Sequence, residues 1–205
     1  TTIYCATGDR PAIERIRAAQ LAMAQSHLLR SRGMDVLLIL DSLARLASAH
    51  REIAIGCGES AGRGGYPPRV FAELAAFSEI AGACARGSIT LFATVLHDGD
   101  ERDPVSEAAR SLLDGHVALS AELAQCGKFP AIDILRSRSR TMDCVAGLQH
   151  RTHATVVRSA LALLERSQDA RAAGIVSSIE AQRAASFEAA IEAFAHDAQA
   201  HAPVE

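Results

Sequence analysis

The stretch DVLLILDSLAR, residues 35–45, decides the fold. It holds five consecutive apolar residues, 36–40, between two aspartates. Such a run predicts a strand that is buried on both faces of a parallel sheet, and hence an α/β fold. Asp41 then lies at the carboxyl end of this strand, which is the edge where open α/β sheets bind their ligands.

Two interpretations of Asp41 follow from its position. An aspartate after an apolar strand holds the water shell of Mg²⁺ beside the phosphates in P-loop NTPases. An aspartate at a strand-to-helix turn is also a good N-cap for the helix that follows. The strand and the turn are compatible with both roles.

The flanking segments extend the α/β pattern. A β-prone run, residues 2–6, precedes a predicted helix from Pro11 to Arg32, and Gly33 ends that helix. Strand, helix and strand form one right-handed crossover unit. A second strong strand is predicted within residues 87–96, and Thr94 lies near its end, before an acidic turn. Thr94 is either a hydroxyl that contacts a phosphate or an ordinary β-branched strand residue.

Composition excludes several classes of protein. The chain has 205 residues, of which 49% are hydrophobic and 22% charged, an ordinary balance for a globular domain. A net charge of −3 gives no electrostatic reason to expect nucleic acid as a partner. The five cysteines are scattered and form no C-x-x-C pair, which fits a reducing cytoplasm better than a disulfide framework or a zinc site. Neither a signal peptide nor a membrane-spanning apolar run is present in the sequence.

A glycine-rich stretch, residues 56–68, predicts an exposed loop, because five glycines and two prolines cannot continue a helix. It lacks the order G-x-x-x-x-G-K-[ST] and follows a helix, so it is a poor candidate for a phosphate cradle. Further along, residues 115–119 predict a strand and residues 129–133 lead to the basic run 136–140. His116 is expected to be a hydrogen-bonded core residue. From about Cys144 the sequence is alanine-rich and predicts helices near 150–167, 175–184 and 187–201.

Five motifs occur together in one order, and together they resemble the ATPase of type III secretion systems and of the flagellar export apparatus. They are DVLLILDSLARLASAHRE (35–52), GYPPRVF (65–71), GSIT (87–90), SLLDGH (111–116) and FPAID (129–133). That family is similar to the catalytic subunits of rotary ATP synthases. The resemblance implies a RecA-like P-loop NTPase core with a mostly parallel sheet flanked by helices. It assigns residues 1–145 to this core and residues 146–205 to a small helical C-terminal domain.

The resemblance also implies roles for individual residues in binding ATP between adjacent subunits of a homohexamer. Asp41 matches the aspartate that organises Mg²⁺ through water. Arg140 matches the arginine that reaches the γ-phosphate of a neighbour, and the alternative is that it belongs to a solvated basic turn. Phe129 stands where an aromatic ring packs on adenine, and the alternative is simple packing in the core. Thr94 lies near the phosphates by analogy. The loop that ends at Tyr66 corresponds to one that faces the central channel.

The partners that the resemblance implies are export chaperones, secreted substrates, and the stalk and stator proteins of the apparatus. The ATPase would be cytoplasmic and would lie against the export gate at the inner face of the bacterial inner membrane. It would couple ATP hydrolysis to chaperone release and substrate unfolding.

The sequence departs from the family pattern in one decisive respect. It contains no G-x-x-x-x-G-K-[ST] motif, and the catalytic glutamate and N-terminal β-barrel of the family are absent as well. The chain therefore resembles the C-terminal half of the enzyme, and alone it is expected not to hydrolyse ATP. The alternative is a non-catalytic RecA-like remnant that binds ATPase partners and regulates their assembly.

Overall fold

The computed structural model describes residues 1–96 and 103–172, with side chains described as far as residue 166. The chain divides into two compact units, and the division falls between Leu113 and Asp114. Each unit contains its own sheet. The sequence predicts a domain boundary at residues 145–146. In the structure this position lies inside the second unit, because backbone and side-chain hydrogen bonds join residues 114–140 to one another and to the helix that follows them.

Helices and strands alternate in the first unit. In chain order they are α1 (Ala12–Ser31), β1 (Asp35–Leu40), α2 (Leu43–Gly56), a 3₁₀ turn (Arg63–Gly65), α3 (Pro68–Glu79), β2 (Gly82–Ala83), β3 (Ser88–Ala93) and α4 (Pro104–Leu112). The ends of the helices follow local chemistry. Ser42 caps α2, Pro68 is at the start of α3, and Asp103 caps α4 by accepting a hydrogen bond from the Ser106 amide at 2.7 Å.

The sheet of the first unit has the strand order β1-β3-β2. β1 and β3 are parallel over their full length, from Asp35 opposite Ser88 to Leu40 opposite Ala93. β2 pairs antiparallel with the start of β3. The predicted pair of parallel strands is therefore confirmed, and the carboxyl ends of β1 and β3 lie side by side.

One face of the sheet is packed and the other is exposed. Leu38 of β1 and Ile89 of β3 are buried in the hydrophobic core that α1–α4 form with the sheet. On the other face of β1, Leu37 and Ile39 are 63% and 65% exposed. The prediction that this strand is buried on both faces is thus wrong for the chain as described, because side chains alternate between faces and the helices of this unit cover only one of them.

The β-prone run at residues 2–6 does not form a strand. A strand requires a neighbouring strand for its backbone hydrogen bonds, whereas this run is held by side chains along α1. The Tyr4 hydroxyl donates to Gln25, and the Gln25 amide donates to Thr2 Oγ1 at 3.3 Å. The predicted helix that follows is confirmed as α1.

The second unit begins with an antiparallel hairpin and continues in helices. Its elements are β4 (Gly115–Leu119), α5 (Ala121–Gln125), β5 (Ile132–Ser139), α6 (Met142–Val145) and α7 (Leu148–Ala172). β4 pairs with β5, and α7 contacts β5. The helices predicted near residues 175–184 and 187–201, like the acidic turn after Leu96, lie outside the described residues. Within the described part of the chain, no helix is long and apolar enough to cross a membrane.

Candidate nucleotide site

Asp41 and Thr94 meet at the edge of the sheet, each directly after its strand. Because Leu40 is in register with Ala93, the residues that follow them, Asp41 and Thr94, lie side by side. The Thr94 hydroxyl donates to Oδ1 of Asp41 at 2.9 Å. The backbone continues the pairing, since the Thr94 amide donates to the Leu40 carbonyl at 3.0 Å and the Leu43 amide donates to the Thr94 carbonyl at 2.9 Å.

The helix cap at this turn is Ser42 and not Asp41. The Ser42 side chain accepts a hydrogen bond from the Arg45 amide at 3.2 Å and is buried. The carboxylate of Asp41 is exposed and turned towards Thr94 instead. The interpretation of Asp41 as the N-cap is therefore wrong, because the cap that α2 needs is supplied by the next residue. The peptide bond between Asp41 and Ser42 is cis.

The donor set around Asp41 fits a magnesium ion that is held through water. The Thr94 bond engages one carboxylate oxygen, and an ionised carboxylate has about four acceptor sites in all, so capacity remains for metal-bound water. Mg²⁺ keeps several of its waters and needs only one or two protein carboxylates. Among the described residues, no group of three or more His, Cys, Asp or Glu side chains could hold a metal directly.

The two other predicted site residues, Phe129 and Arg140, belong to the second unit. Phe129 precedes a cis peptide bond to Pro130, and its ring is 57% exposed, so it is not the core residue that simple packing would require. Arg140 directly follows β5, and its side chain is exposed. Its backbone amide donates to the Asp114 carbonyl at 2.7 Å, which anchors the arginine at the open end of the hairpin.

The sequence did not indicate which side chains bind the backbone of β5 just before Arg140. They are Asp133, His116 and Arg158. His116 is hydrogen-bonded, as predicted, and its partner is the Arg136 carbonyl. The prediction that it is a core residue is wrong, because His116 is only half-buried and lies outside the hydrophobic core cluster. Asp133 could have been recognised, because aspartate commonly binds amides two or three residues ahead. Arg158 has no such local signal.

Tyr66, at the end of the glycine-rich loop, is held by its neighbours in the first unit. The Arg51 guanidinium lies 5.1 Å from the centre of the Tyr66 ring, a cation–π contact, and the Phe71 ring is 6.1 Å away. The guanidinium of Arg51 also lies against Gly65, where a Cβ atom would come within 3.1 Å of it. The loop is therefore fixed at its Tyr66 end by α2 and α3.

A comparison with known protein families agrees with this fold. Residues 1–139 match the nucleotide-binding domain of the ATP synthase alpha/beta family, and the chain belongs to that family. The predicted α/β, RecA-like class is thereby confirmed.

Particular relatives narrow the resemblance. The SPI-2 type 3 secretion system ATPase of Salmonella typhimurium is 46% identical over 164 residues, which are 80% of this chain and 38% of the relative. The flagellum-specific ATP synthase of Treponema pallidum is 41% identical over 198 residues, 95% of this chain and 44% of the relative. The chain thus spans less than half the length of these proteins, and the predicted resemblance to export ATPases is confirmed.

A solved structure shows the same likeness in three dimensions. The assembled ATPase EscN, in complex with its central stalk EscO, from the type III secretion system of enteropathogenic E. coli superimposes with a TM-score of 0.80 at 37% identity. The match covers 93% of this chain and 46% of the EscN chain.

Proposed function

We propose that this chain is part of an ATPase that powers protein export by a type III secretion or flagellar apparatus. The observation that carries the proposal is the contact between Asp41 and Thr94 at the carboxyl ends of two parallel strands in a nucleotide-binding domain of this family. Within the complete protein, residues 1–145 would belong to the ATPase core and residues 146–205 to a helical C-terminal domain.

In this proposal Asp41 orients water on Mg²⁺, and Thr94 orients Asp41. When bound, the ion supplies positive charge to the phosphate oxygens of ATP. The Thr94 hydroxyl donates to Oδ1, which limits rotation of the carboxylate and leaves its other acceptor sites for water. Thr94 would also contact a phosphate of the nucleotide.

Arg140 and Phe129 would act on the nucleotide held by a neighbouring subunit of a homohexamer. The phosphoryl transition state spreads negative charge over several oxygens, and a planar guanidinium answers that charge from outside the subunit. The exposed position of Arg140 at the end of β5 supports this role. The exposed ring of Phe129 is suited to stacking on adenine.

The proposed partners follow from the class of machine. A relative that is solved as an assembled ATPase with a central stalk supports a ring with a stalk protein in its channel. Export chaperones, secreted substrates, a stator and the membrane export gate would be further partners. This ATPase would work in the cytoplasm, peripheral to the inner membrane, and would release chaperones and unfold substrates. Neither the charge of the chain nor its family favours nucleic acid.

The test is Mg²⁺-ATP turnover by the complete ATPase to which we assign this chain. Replacing the guanidinium in Arg140→Ala should lower kcat by about 10³ to 10⁵, the range known for arginine fingers in P-loop enzymes. Arg138→Ala is the matched control, because Arg138 is an exposed arginine of β5 two residues before Arg140, and it should leave turnover unchanged. The 205-residue chain alone should show no turnover, since it contains no P-loop.

Two results would contradict the proposal. Equal turnover in Arg140→Ala and Arg138→Ala would remove Arg140 from the nucleotide site. A complete protein that binds ATPase partners and alters their assembly, yet hydrolyses no ATP, would establish the non-catalytic remnant instead.

A further inference from the structure

The strand that carries Arg140 contains a wide bulge. Ala118 of β4 pairs with Asp133, and His116 pairs with Arg138. A single residue of β4, Val117, therefore faces the four residues 134–137 of β5. The backbone groups of these four residues cannot all join the ladder between the strands, so they require other partners.

Side chains of the hairpin itself bind part of the bulge. Oδ1 of Asp133 accepts hydrogen bonds from the amides of Leu135 and Arg136, each at 2.9 Å. The Ser137 hydroxyl donates to the Asp133 carbonyl at 2.5 Å and accepts from the Ala118 amide at 2.9 Å. The imidazole of His116 donates from Nε2 to the Arg136 carbonyl at 2.8 Å.

The carbonyls at the two ends of the bulge are bound by one arginine from α7. Nη1 of Arg158 donates to the Ile134 carbonyl at 3.0 Å and to the Ser137 carbonyl at 3.1 Å. Nη2 of Arg158 donates to the Ile134 carbonyl at 2.9 Å and also to the Ser137 carbonyl. A half-buried guanidinium thus joins the first and the last residue of the bulge. Its planar fork can bind both carbonyls at once, which an ammonium group cannot do with the same geometry.

We propose that Arg158 is a positioning residue that fixes the bulge and thereby sets the direction of Arg140. The inference rests on the proposed function of Arg140. Ser137, which Arg158 holds by its carbonyl, is three residues before Arg140, and the Arg140 amide is anchored to the Asp114 carbonyl at 2.7 Å. With both ends of residues 137–140 tied, the guanidinium of Arg140 starts from one fixed backbone position. Loss of the Arg158 side chain would leave the hydrogen bond between the Arg140 amide and the Asp114 carbonyl, but it would free the residues of β5 before Arg140.

The test compares single and double variants in the complete ATPase. Arg158→Ala should lower kcat by up to about 10², the cost of misplacing a catalytic group by about 1 Å, while KM for ATP is unchanged. Arg158→Lys keeps the charge and one hydrogen bond and should recover part of the loss. The double variant Arg140→Ala/Arg158→Ala should be no slower than Arg140→Ala alone, because positioning has no effect once the positioned group is gone.

Arg166→Ala is the matched control, since Arg166 is an exposed arginine on the same helix. It should change neither kcat nor KM. The inference is overturned if Arg158→Ala turns over like wild type, or if its loss multiplies with that of Arg140→Ala in the double variant.

Hydrogen exchange of the complete ATPase separates a failure of this inference from a failure of the proposed function. Arg158→Ala should speed exchange of the amides of residues 135 and 136 while the amides of β1 and β3 keep their protection, whatever Arg140 does in catalysis. Unchanged exchange at those two amides would overturn the positioning role, even if Arg140 proves essential. If Arg158→Ala speeds this exchange but Arg140→Ala does not change turnover, Arg158 fixes the bulge as proposed and the catalytic role of Arg140 is rejected instead.

Discussion

Asp41 depends on Thr94 for its orientation, and this contact is the smallest unit of the site. The hydroxyl and the carboxylate oxygen are 2.9 Å apart, and both side chains are exposed at the end of the sheet. An exposed carboxylate on its own would sample several rotamers. The Thr94 hydroxyl restrains the Asp41 carboxylate, and Asp41 does not cap α2, because Ser42 does so.

Removal of the Thr94 hydroxyl should therefore weaken Asp41 without abolishing it. In the complete ATPase, Asp41→Asn should reduce kcat by about 10- to 100-fold, the usual cost of losing a group that acts on a metal through its ligands. Thr94→Val should cost less, because it removes only the group that orients Asp41. Steady-state turnover across a magnesium titration measures both effects.

Thr94→Ser is the control for that comparison, since it keeps the hydroxyl. It should retain most of the activity that Thr94→Val loses. A loss in Thr94→Ser as large as that in Thr94→Val would contradict this explanation, because the hydroxyl that Thr94→Ser keeps would then not preserve activity.

At the scale of elements, a half-buried histidine that can titrate lies where α2 packs against α3. His50 of α2 lies beside Arg69 and Glu73 of α3 at a small cavity that Ile53 and Val70 help to line. Burial lowers the pKa of His50, the charge of Glu73 opposes this effect, and Arg69 adds to it. Arg69 is itself paired with Glu73 and with Glu59, each at 3.3 Å. His50 is thus a neutral packing residue near neutral pH.

The lowered pKa of His50 predicts a loss of stability in weak acid. Below about pH 6.5 the unfolded chain protonates this histidine while the folded chain does not, so the unfolded state binds more protons and stability falls as the pH falls. The loss is complete once the pH passes the lower pKa of the folded state. Urea unfolding of the 205-residue chain between pH 7.5 and pH 5.5 measures it.

His50→Gln should flatten that pH dependence, because the amide does not titrate. A slope that is unchanged in His50→Gln would assign the acid sensitivity to other groups.

Many of the helices and strands could be predicted from the sequence. Apolar runs and helix stop signals are local, and they correctly indicated β1, α1 and the strand at 115–119. The exposed face of β1 could not be predicted, because an apolar run does not reveal which layers cover it. The bulge in β5 was also hidden, since it depends on Arg158, which lies far along the chain from the carbonyls that it binds.

For the whole molecule, the candidate site residues divide between the two compact units. Asp41 and Thr94 belong to the first unit, and Phe129 and Arg140 to the second. The strand ends could be recognised from sequence and place the first pair together, as the structure shows. The role of the second pair depends on a neighbouring subunit, which local sequence patterns do not describe. The central claim of the proposed function is that one nucleotide site combines Asp41 of one subunit with Arg140 of the next.

The most direct test of that claim is subunit complementation in the complete ATPase. Asp41→Asn and Arg140→Ala subunits are assembled together in equal amounts, and Mg²⁺-ATP turnover is compared with that of each variant alone. If the two residues act across an interface, random assortment restores about a quarter of the sites of a ring built from head-to-tail contacts, and turnover rises above that of either variant. A control mixture of Asp41→Asn with Asp41→Asn/Arg140→Ala subunits should turn over no faster than Asp41→Asn alone. Turnover in the first mixture that equals the control would contradict the account, because it would mean that Asp41 and Arg140 do not complete each other's site between subunits.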